Sequence, residues 1–82
     1  MQTPQTIAME ISTEVERSAT LHPNLHNMHE GLAVIWEEFE EFKTEVFLYN
    51  PPKNRDTREK ARAELIQLAA MCVRTIIDCE LP

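Results

Sequence analysis

The fold of this chain is decided by the stretch from Leu32 to Val46, which reads LAVIWEEFEEFKTEV. Its apolar residues, continued to Tyr49, follow one another at steps of 3, 4, 3, 4 and 3, and they are Leu32, Ile35, Phe39, Phe42, Val46 and Tyr49. This spacing places them on one face of an α-helix. We therefore predict a helix from about Asn27 to Tyr49, which ends before Asn50-Pro51-Pro52.

The first helix is predicted from Pro4 to a point between Ser18 and Leu21. Thr3 is a suitable N-cap, and proline at the first helical position already has the helical φ angle. The sequence His22-Pro23-Asn24 ends the helix, because proline disfavours helical geometry at the residue before it.

The third helix is predicted from a cap at Asp56 or Thr57 to about Cys79. Within residues 65–73 only Gln67 is strongly polar, and apolar residues lie on two opposite faces. Such a helix must be covered on two sides, which one short chain does not easily achieve. We predict an all-α fold with three helices per chain, in which the two long helices are antiparallel, packed with their apolar faces together, and completed into a four-helix-type bundle by oligomerisation.

Length and composition exclude several classes of protein. Residues 1–82 form one domain, and area scaling gives a folded surface of about 5,000 Å², hence a thin core. The single glycine excludes Gly-rich phosphate loops, and the net charge of −6 argues against duplex nucleic acid. No apolar run reaches the length of a membrane span, and no secretory leader is recognisable, so we expect a soluble cytoplasmic protein.

A strip of carboxylates borders the apolar face of the second helix. Glu38, Glu41 and Glu45 follow at i, i+3 and i+7, where like charges are mildly destabilising. On the third helix Glu64 lies within the main apolar face, where an unpaired carboxylate is costly. Two interpretations remain: a solvated acidic face with a salt bridge on Glu64, or a divalent cation held between the two helices, with Gln67 one turn beyond Glu64.

The two motifs Glu37-Glu38-x-x-Glu41 and Glu64-x-x-Gln67 resemble a pair of sequence motifs of a known enzyme family. They are similar to the E-E-x-x-E and E-x-x-D motifs of the MazG-like all-alpha nucleoside triphosphate pyrophosphohydrolases, in particular a short group common in phages and bacteria. The resemblance covers about residues 26–80. It implies hydrolysis of a nucleoside triphosphate to a monophosphate and pyrophosphate, with Mg²⁺ or Mn²⁺ as cofactor, in a homodimer or homotetramer.

The resemblance also implies roles for individual residues. The expected metal ligands are Glu38, Glu41, Glu64 and Gln67, and the expected catalytic bases are Glu37 and Glu41. Cationic side chains must meet the remaining phosphate charge, and the candidates are Arg74, Arg58 and Arg55. Gln67 departs from the family pattern, since an amide brings no charge and cannot act as a base. The alternative function is a non-catalytic helical oligomer of the same fold that binds nucleotide or a protein partner.

Overall fold

The computed structural model describes residues 1–48 and 55–82, and within these ranges all regular structure is helical. Its three helices are α1 (Pro4–Leu21), α2 (Met28–Leu48) and α3 (Arg55–Asp78). The predicted all-α class with three helices is thereby confirmed. The predicted end of α2 at Tyr49, and the stop signal at residues 50–52, lie outside the described residues. Among the described residues, none of these helices combines the length and the hydropathy of a membrane-spanning segment.

Helix α1 begins and ends at the predicted signals. The Thr3 side chain accepts a hydrogen bond from the Thr6 amide at 3.1 Å, and the Thr6 hydroxyl accepts one from the Thr3 amide at 2.8 Å. This reciprocal pair satisfies amide groups that the first turn would otherwise leave without a partner. At the other end, the His22 amide donates to the Ser18 carbonyl at 2.9 Å, and the chain then becomes extended.

The starts of α2 and α3 differ in how well the sequence predicted them. Asn27 caps α2, because its side-chain oxygen accepts a hydrogen bond from the Glu30 amide at 3.0 Å. The predicted cap of α3 is wrong, since this helix already begins at Arg55. Asp56 therefore lies in the first turn, where its negative charge favours the helix dipole, and Thr57 is buried within the helix.

Helix α3 lies between the other two helices and packs against both. Gly31 near the start of α2 contacts Thr75 near the end of α3, whereas Glu41, further along α2, approaches Glu64. These two long helices are therefore antiparallel. Helix α1 runs parallel to α3, since Gln2 before α1 and Glu10 in its first half bond to Arg62, and its last turn meets Arg74.

The core is thin, and the only buried hydrophobic side chains among the described residues are Ala70 and Met71. The chain exposes 6264 Å², clearly above the roughly 5,000 Å² expected of a globular monomer of this mass. Its radius of gyration is 13.8 Å, where a compact domain of this length has about 12 Å. The three helices thus form an elongated unit rather than a closed globule.

An exposed apolar surface, which we call the α2–α3 apolar face, explains the large exposed area. Its members are Leu32, Phe39 and Val46 of α2 and Leu65, Cys72 and Ile76 of α3. On each helix they lie about a quarter-turn beyond the residues that face the neighbouring helix, which in an antiparallel pair is the same side. Leu32, Phe39 and Ile76 are 55%, 48% and 53% exposed. The predicted apolar face of α2 is therefore not packed against α3 as a whole, because α2 presents Gly31 and its carboxylates there instead.

Candidate metal centre and adjoining cavity

The carboxylates of α2 and α3 meet because the two helices approach closely. A Cβ atom on Gly31 would lie 2.6 Å from Thr75 Cγ2, so only glycine allows this approach. From that contact, Glu38 and Glu41 follow two and three turns along α2 on or beside the side that faces α3. Glu64 lies about three turns before Thr75 on α3, which brings it level with them.

Glu38, Glu41 and Glu64 converge on one point. Each of the three side chains offers one carboxylate oxygen, and these oxygens all lie within 4.8 Å of one another. We call these residues the carboxylate cluster. Glu41 is exposed, whereas Glu38 and Glu64 are half-buried, so the cluster opens to solvent on one side. The structure thus brings together three of the four residues predicted as metal ligands.

The electrostatics of the cluster are unfavourable without a cation. Burial, followed by the negative charge of Glu41, raises the pKa of Glu38 from 4.5 to about 7. Burial, followed by the interaction with Glu41, also raises the pKa of Glu64 to about 7. Burial and like charges both disfavour the ionised form of a carboxyl group. Perturbed carboxyl groups of this kind are concentrated at functional sites in proteins.

Buried carboxylate oxygens without a hydrogen-bond partner in the described ranges lie in the cluster and beside it. The Oε2 atoms of Glu38, Glu45 and Glu64 are buried and accept no hydrogen bond from the described residues. Glu45 lies one turn beyond Glu41, and its charge contributes to the raised pKa of Glu64. Unpartnered buried oxygens are costly, and a divalent cation with oxygen ligands would satisfy them. The donor set therefore fits Mg²⁺ or Mn²⁺, which prefer carboxylate and amide oxygens.

A cavity of about 390 Å³ adjoins the cluster on the side of α1. It is bounded by all three helices and by residues 22–25, and its lining includes Glu14, Arg17, Val34, Gln67, Met71 and Arg74. Glu37 and Glu38 form the wall that the cavity shares with the cluster. Glu37, predicted as a catalytic base, thus lines the cavity next in sequence to the cluster residue Glu38.

Arg74 has a different environment from the one expected of a phosphate ligand. Its side chain is only 4% exposed, and Nη2 donates to the Pro23 carbonyl at 2.9 Å and to Asp78 Oδ2 at 3.3 Å. Its other terminal nitrogen, Nη1, lies 3.5 Å from the Ser18 carbonyl. Asp78 Oδ2 also accepts a hydrogen bond from the Leu25 amide at 2.9 Å. Arg74 therefore joins α3 to the end of α1 and to the following loop, at the edge of the cavity.

The other predicted phosphate ligands lie elsewhere. Arg58 is exposed in the first turns of α3, and the side chain of Arg55 lies outside the described residues. Arg62 is bound to Gln2 at 2.7 Å and to Glu10 at 2.8 Å, so it holds α1 against α3. Trp36 is 60% exposed and donates to Glu40 at 3.2 Å, away from the cavity.

Sequence reasoning missed the contribution of α1. Glu14 and Arg17 line the cavity, and the charge of Glu14 acts on Glu38. Neither residue belongs to the two motifs, and the spacing within α1 does not show which of its faces docks on α3. The spacing within α2 places Glu45 in the carboxylate strip with Glu38 and Glu41, but it predicts no function for this residue.

Comparisons with known proteins find no relative of this chain. The chain matches no protein-family model, no curated protein and no solved structure.

Proposed function

We propose that this chain is a Mg²⁺-dependent nucleoside triphosphate pyrophosphohydrolase of MazG-like type, for which Mn²⁺ can replace Mg²⁺. The observation that carries the proposal is the convergence of Glu38, Glu41 and Glu64 within 4.8 Å. The Oε2 atoms of Glu38 and Glu64 are buried and accept no hydrogen bond from residues 1–48 and 55–82, a costly arrangement that a cation would relieve. The order and spacing of the two motifs support the same function.

The residues divide the chemistry between them. Glu38, Glu41 and Glu64 would hold Mg²⁺, which supplies positive charge against the triphosphate oxygens. Glu37 or Glu41 would accept a proton from the attacking water, because Glu37 is a carboxylate next to the cluster and Glu41 is the exposed member of it. The water adds across the anhydride between the α and β phosphates, and pyrophosphate leaves with the bridging oxygen. Gln67 cannot accept this proton, because its amide is not basic.

The hydrogen bonds that each arginine already makes determine how readily it could bind a phosphate. Arg74 is held by Ser18, Pro23 and Asp78, so a phosphate there must compete with these acceptors. Arg58 is exposed near the start of α3. It precedes Glu64 by less than two turns on the same helix, and we include it as a cation that would meet phosphates extending from the cluster. The proposal keeps all three predicted arginines, and Arg55 precedes Arg58 by three residues.

The proposal includes a homodimer or homotetramer formed through the α2–α3 apolar face. The chain exposes roughly 1,200 Å² more than a globular monomer of its mass, and a typical partner in a stable complex buries about 800 Å². A second copy that packs its own α2 and α3 on this face would complete a four-helix bundle. Both cysteines are free, in keeping with the reducing cytoplasm as the proposed location.

The metal site is tested by titrating the protein with Mn²⁺ and following the free ion by electron paramagnetic resonance. We expect saturable binding that Glu38→Gln weakens by about 100-fold, because an essential charged ligand is lost. Glu40→Gln is the matched control, since Glu40 is exposed and bonded to Trp36 outside the cluster. Equal Mn²⁺ affinity in wild type and Glu38→Gln would refute the ligand assignment.

The second candidate function is a non-catalytic oligomer that binds nucleotide or a protein partner. Gln67 favours it, because the family motif has a charged ligand at that position. This candidate predicts an oligomer that binds nucleotide in the presence of Mn²⁺ and releases no pyrophosphate. The hydrolytic function predicts release under the same conditions.

A further inference from the structure

The cavity beside the carboxylate cluster has room for an organic group. Its volume of about 390 Å³ lies in the range of small-molecule sites, which begins at about 300 Å³. Val34 and the buried Met71 supply apolar contacts, and Gln67 supplies an amide. Glu38 belongs to both the cavity wall and the cluster, so a ligand can occupy the two together.

The charges around the cavity disfavour a free anion. Arg17 is bound by both oxygens of Glu14, at 2.6 and 2.8 Å, and Arg74 is bound by Asp78 and backbone carbonyls. The wall shared with the cluster carries the acidic residues Glu37 and Glu38. Neither arginine that lines the cavity in the described part of the chain is therefore free for a phosphate group, whereas a neutral group with polar edges meets no charge penalty.

The Gln67 amide is available to such a group. It is half-buried, lines the cavity, and makes no hydrogen bond to any residue in the described ranges. An amide offers a donor and an acceptor side by side, which matches the paired donor and acceptor on the edge of a nucleobase. Placed one turn beyond Glu64, it lies between the cluster and the apolar part of the cavity.

We infer that this cavity holds the nucleoside part of the nucleotide whose phosphates lie at the carboxylate cluster, and that Gln67 determines specificity there by hydrogen bonding to the base. The inference rests on the proposed function, and it gives Gln67 a role other than metal ligation. An aspartate at this position would add a negative charge to a wall that is already acidic. Glutamine instead keeps the cavity suitable for a neutral base.

The test is calorimetric binding in the presence of Mn²⁺, using the full chain. The probes are inorganic triphosphate, which has no nucleoside, and the α,β-imido analogues of the four deoxynucleoside triphosphates, which resist cleavage. We expect one analogue to bind at least about tenfold more tightly than inorganic triphosphate. Gln67→Met, which keeps the side-chain length, should lower that preference about five- to tenfold, the effect of one lost hydrogen bond to a buried polar group.

Controls separate this effect from metal ligation and from misfolding. Gln67→Met should leave the affinities for Mn²⁺ and for inorganic triphosphate within about twofold of wild type, since neither involves the amide in this account. Gln67→Ala is a second variant in case methionine perturbs packing, and Gln5→Met, on the exposed side of α1, is the matched control. Far-ultraviolet circular dichroism verifies that each variant retains its helices.

The outcomes distinguish this inference from the proposed function. Loss of Mn²⁺ binding in Gln67→Met would overturn the inference and make Gln67 a metal ligand. Equal affinity for inorganic triphosphate and all four analogues would also overturn it, while leaving the metal site intact. Failure of wild-type protein to bind Mn²⁺ would refute the proposed function, and the inference with it.

Discussion

Gly31 of α2 lies against Thr75 of α3 so closely that a Cβ atom on Gly31 would be 2.6 Å from Thr75 Cγ2 and 2.7 Å from Oγ1. The Thr75 hydroxyl is fixed by its hydrogen bond to the Met71 carbonyl at 2.8 Å, so it cannot easily turn away. This contact determines the separation of the two helices near one end. It thereby determines how closely Glu38 and Glu64 approach each other.

Gly31→Ala is expected to destabilise the protein by about 1–3 kcal/mol, because the added methyl group is overpacked against Thr75. Without that clash the same substitution would stabilise the helix by about 1 kcal/mol, since alanine has the higher helix propensity. The measurement is the free energy of unfolding from urea denaturation. Adding Thr75→Ala should recover part of the loss, so the double variant is more stable than the two single effects predict. A Gly31→Ala protein as stable as wild type would contradict the contact.

The stability of the metal-free protein should fall as the pH rises from about 5 to about 8. Glu38 and Glu64 have pKa values of about 7 in the folded chain, against 4.5 as the ordinary value. Between these values the folded state holds more protons than the unfolded state, so the free energy of unfolding decreases with pH and remains low above about 7. Urea denaturation in EDTA at pH 5 and pH 8 measures this difference.

The same pH dependence can be assigned to the cluster by substitution. Glu64→Gln should remove about half of the pH dependence, because the neutral amide has no proton to lose while Glu38 still has a raised pKa, whereas Glu40→Gln should leave it unchanged. Mg²⁺ should stabilise the wild-type protein more at pH 8 than at pH 5, since ligand carboxylates must be ionised to bind a cation. A protein whose stability rises from pH 5 to pH 8 in EDTA would show that the carboxyl groups are not perturbed as described.

Phe39→Glu should dissociate the oligomer, because it places a charge within the α2–α3 apolar face, where Phe39 is 48% exposed in the single chain. Sedimentation equilibrium measures the molecular mass of both proteins. Met9→Glu is the control, since Met9 is 71% exposed on α1 and lies outside this face. A wild-type protein that is monomeric at about 100 μM, far above the Kd of a stable dimer, would contradict the proposed interface.

Glu80→Gly should stabilise the protein by about 0.5–1 kcal/mol. Glu80 has φ of 53°, and the bonds from the Glu80 amide to the Ile77 carbonyl and from the Leu81 amide to the Ile76 carbonyl form a Schellman motif. Glycine favours this left-handed position, where other residues are strained. Thermal unfolding provides the comparison. Glu16→Gly in exposed α1 should have the opposite sign, and a loss of stability in Glu80→Gly would contradict the motif.

Most of the fold could be predicted from local signals. The Thr3 cap and the Pro23 break delimit α1, and the apolar spacing from Leu32 onwards identifies α2, because these features act within a few residues of the chain. The rotation of α2 against α3 could not be predicted in this way. It depends on the close contact of Gly31 with Thr75, which are far apart in sequence.

The candidate site, like the fold, could be predicted from the sequence only in part. The spacing of Glu38 and Glu41 and the position of Glu64 on an apolar face predicted a cluster of oxygen ligands between two helices. The cavity could not be predicted, since it exists only because α1 docks through Arg62 and Arg74. The sequence does not show whether an arginine is buried and hydrogen-bonded to a neighbouring helix, or exposed and able to bind a phosphate.

The central claim is that the carboxylate cluster supports hydrolysis of a nucleoside triphosphate. The most direct measurement is pyrophosphate release from a panel of ribo- and deoxyribonucleoside triphosphates, with Mg²⁺, with Mn²⁺ and in EDTA. We predict release that requires the cation and falls at least about 100-fold in Glu38→Gln and Glu64→Gln, while both variants remain helical and Glu40→Gln retains activity. The absence of release from every nucleotide by folded wild-type protein, or full release by either cluster variant, would contradict the claim.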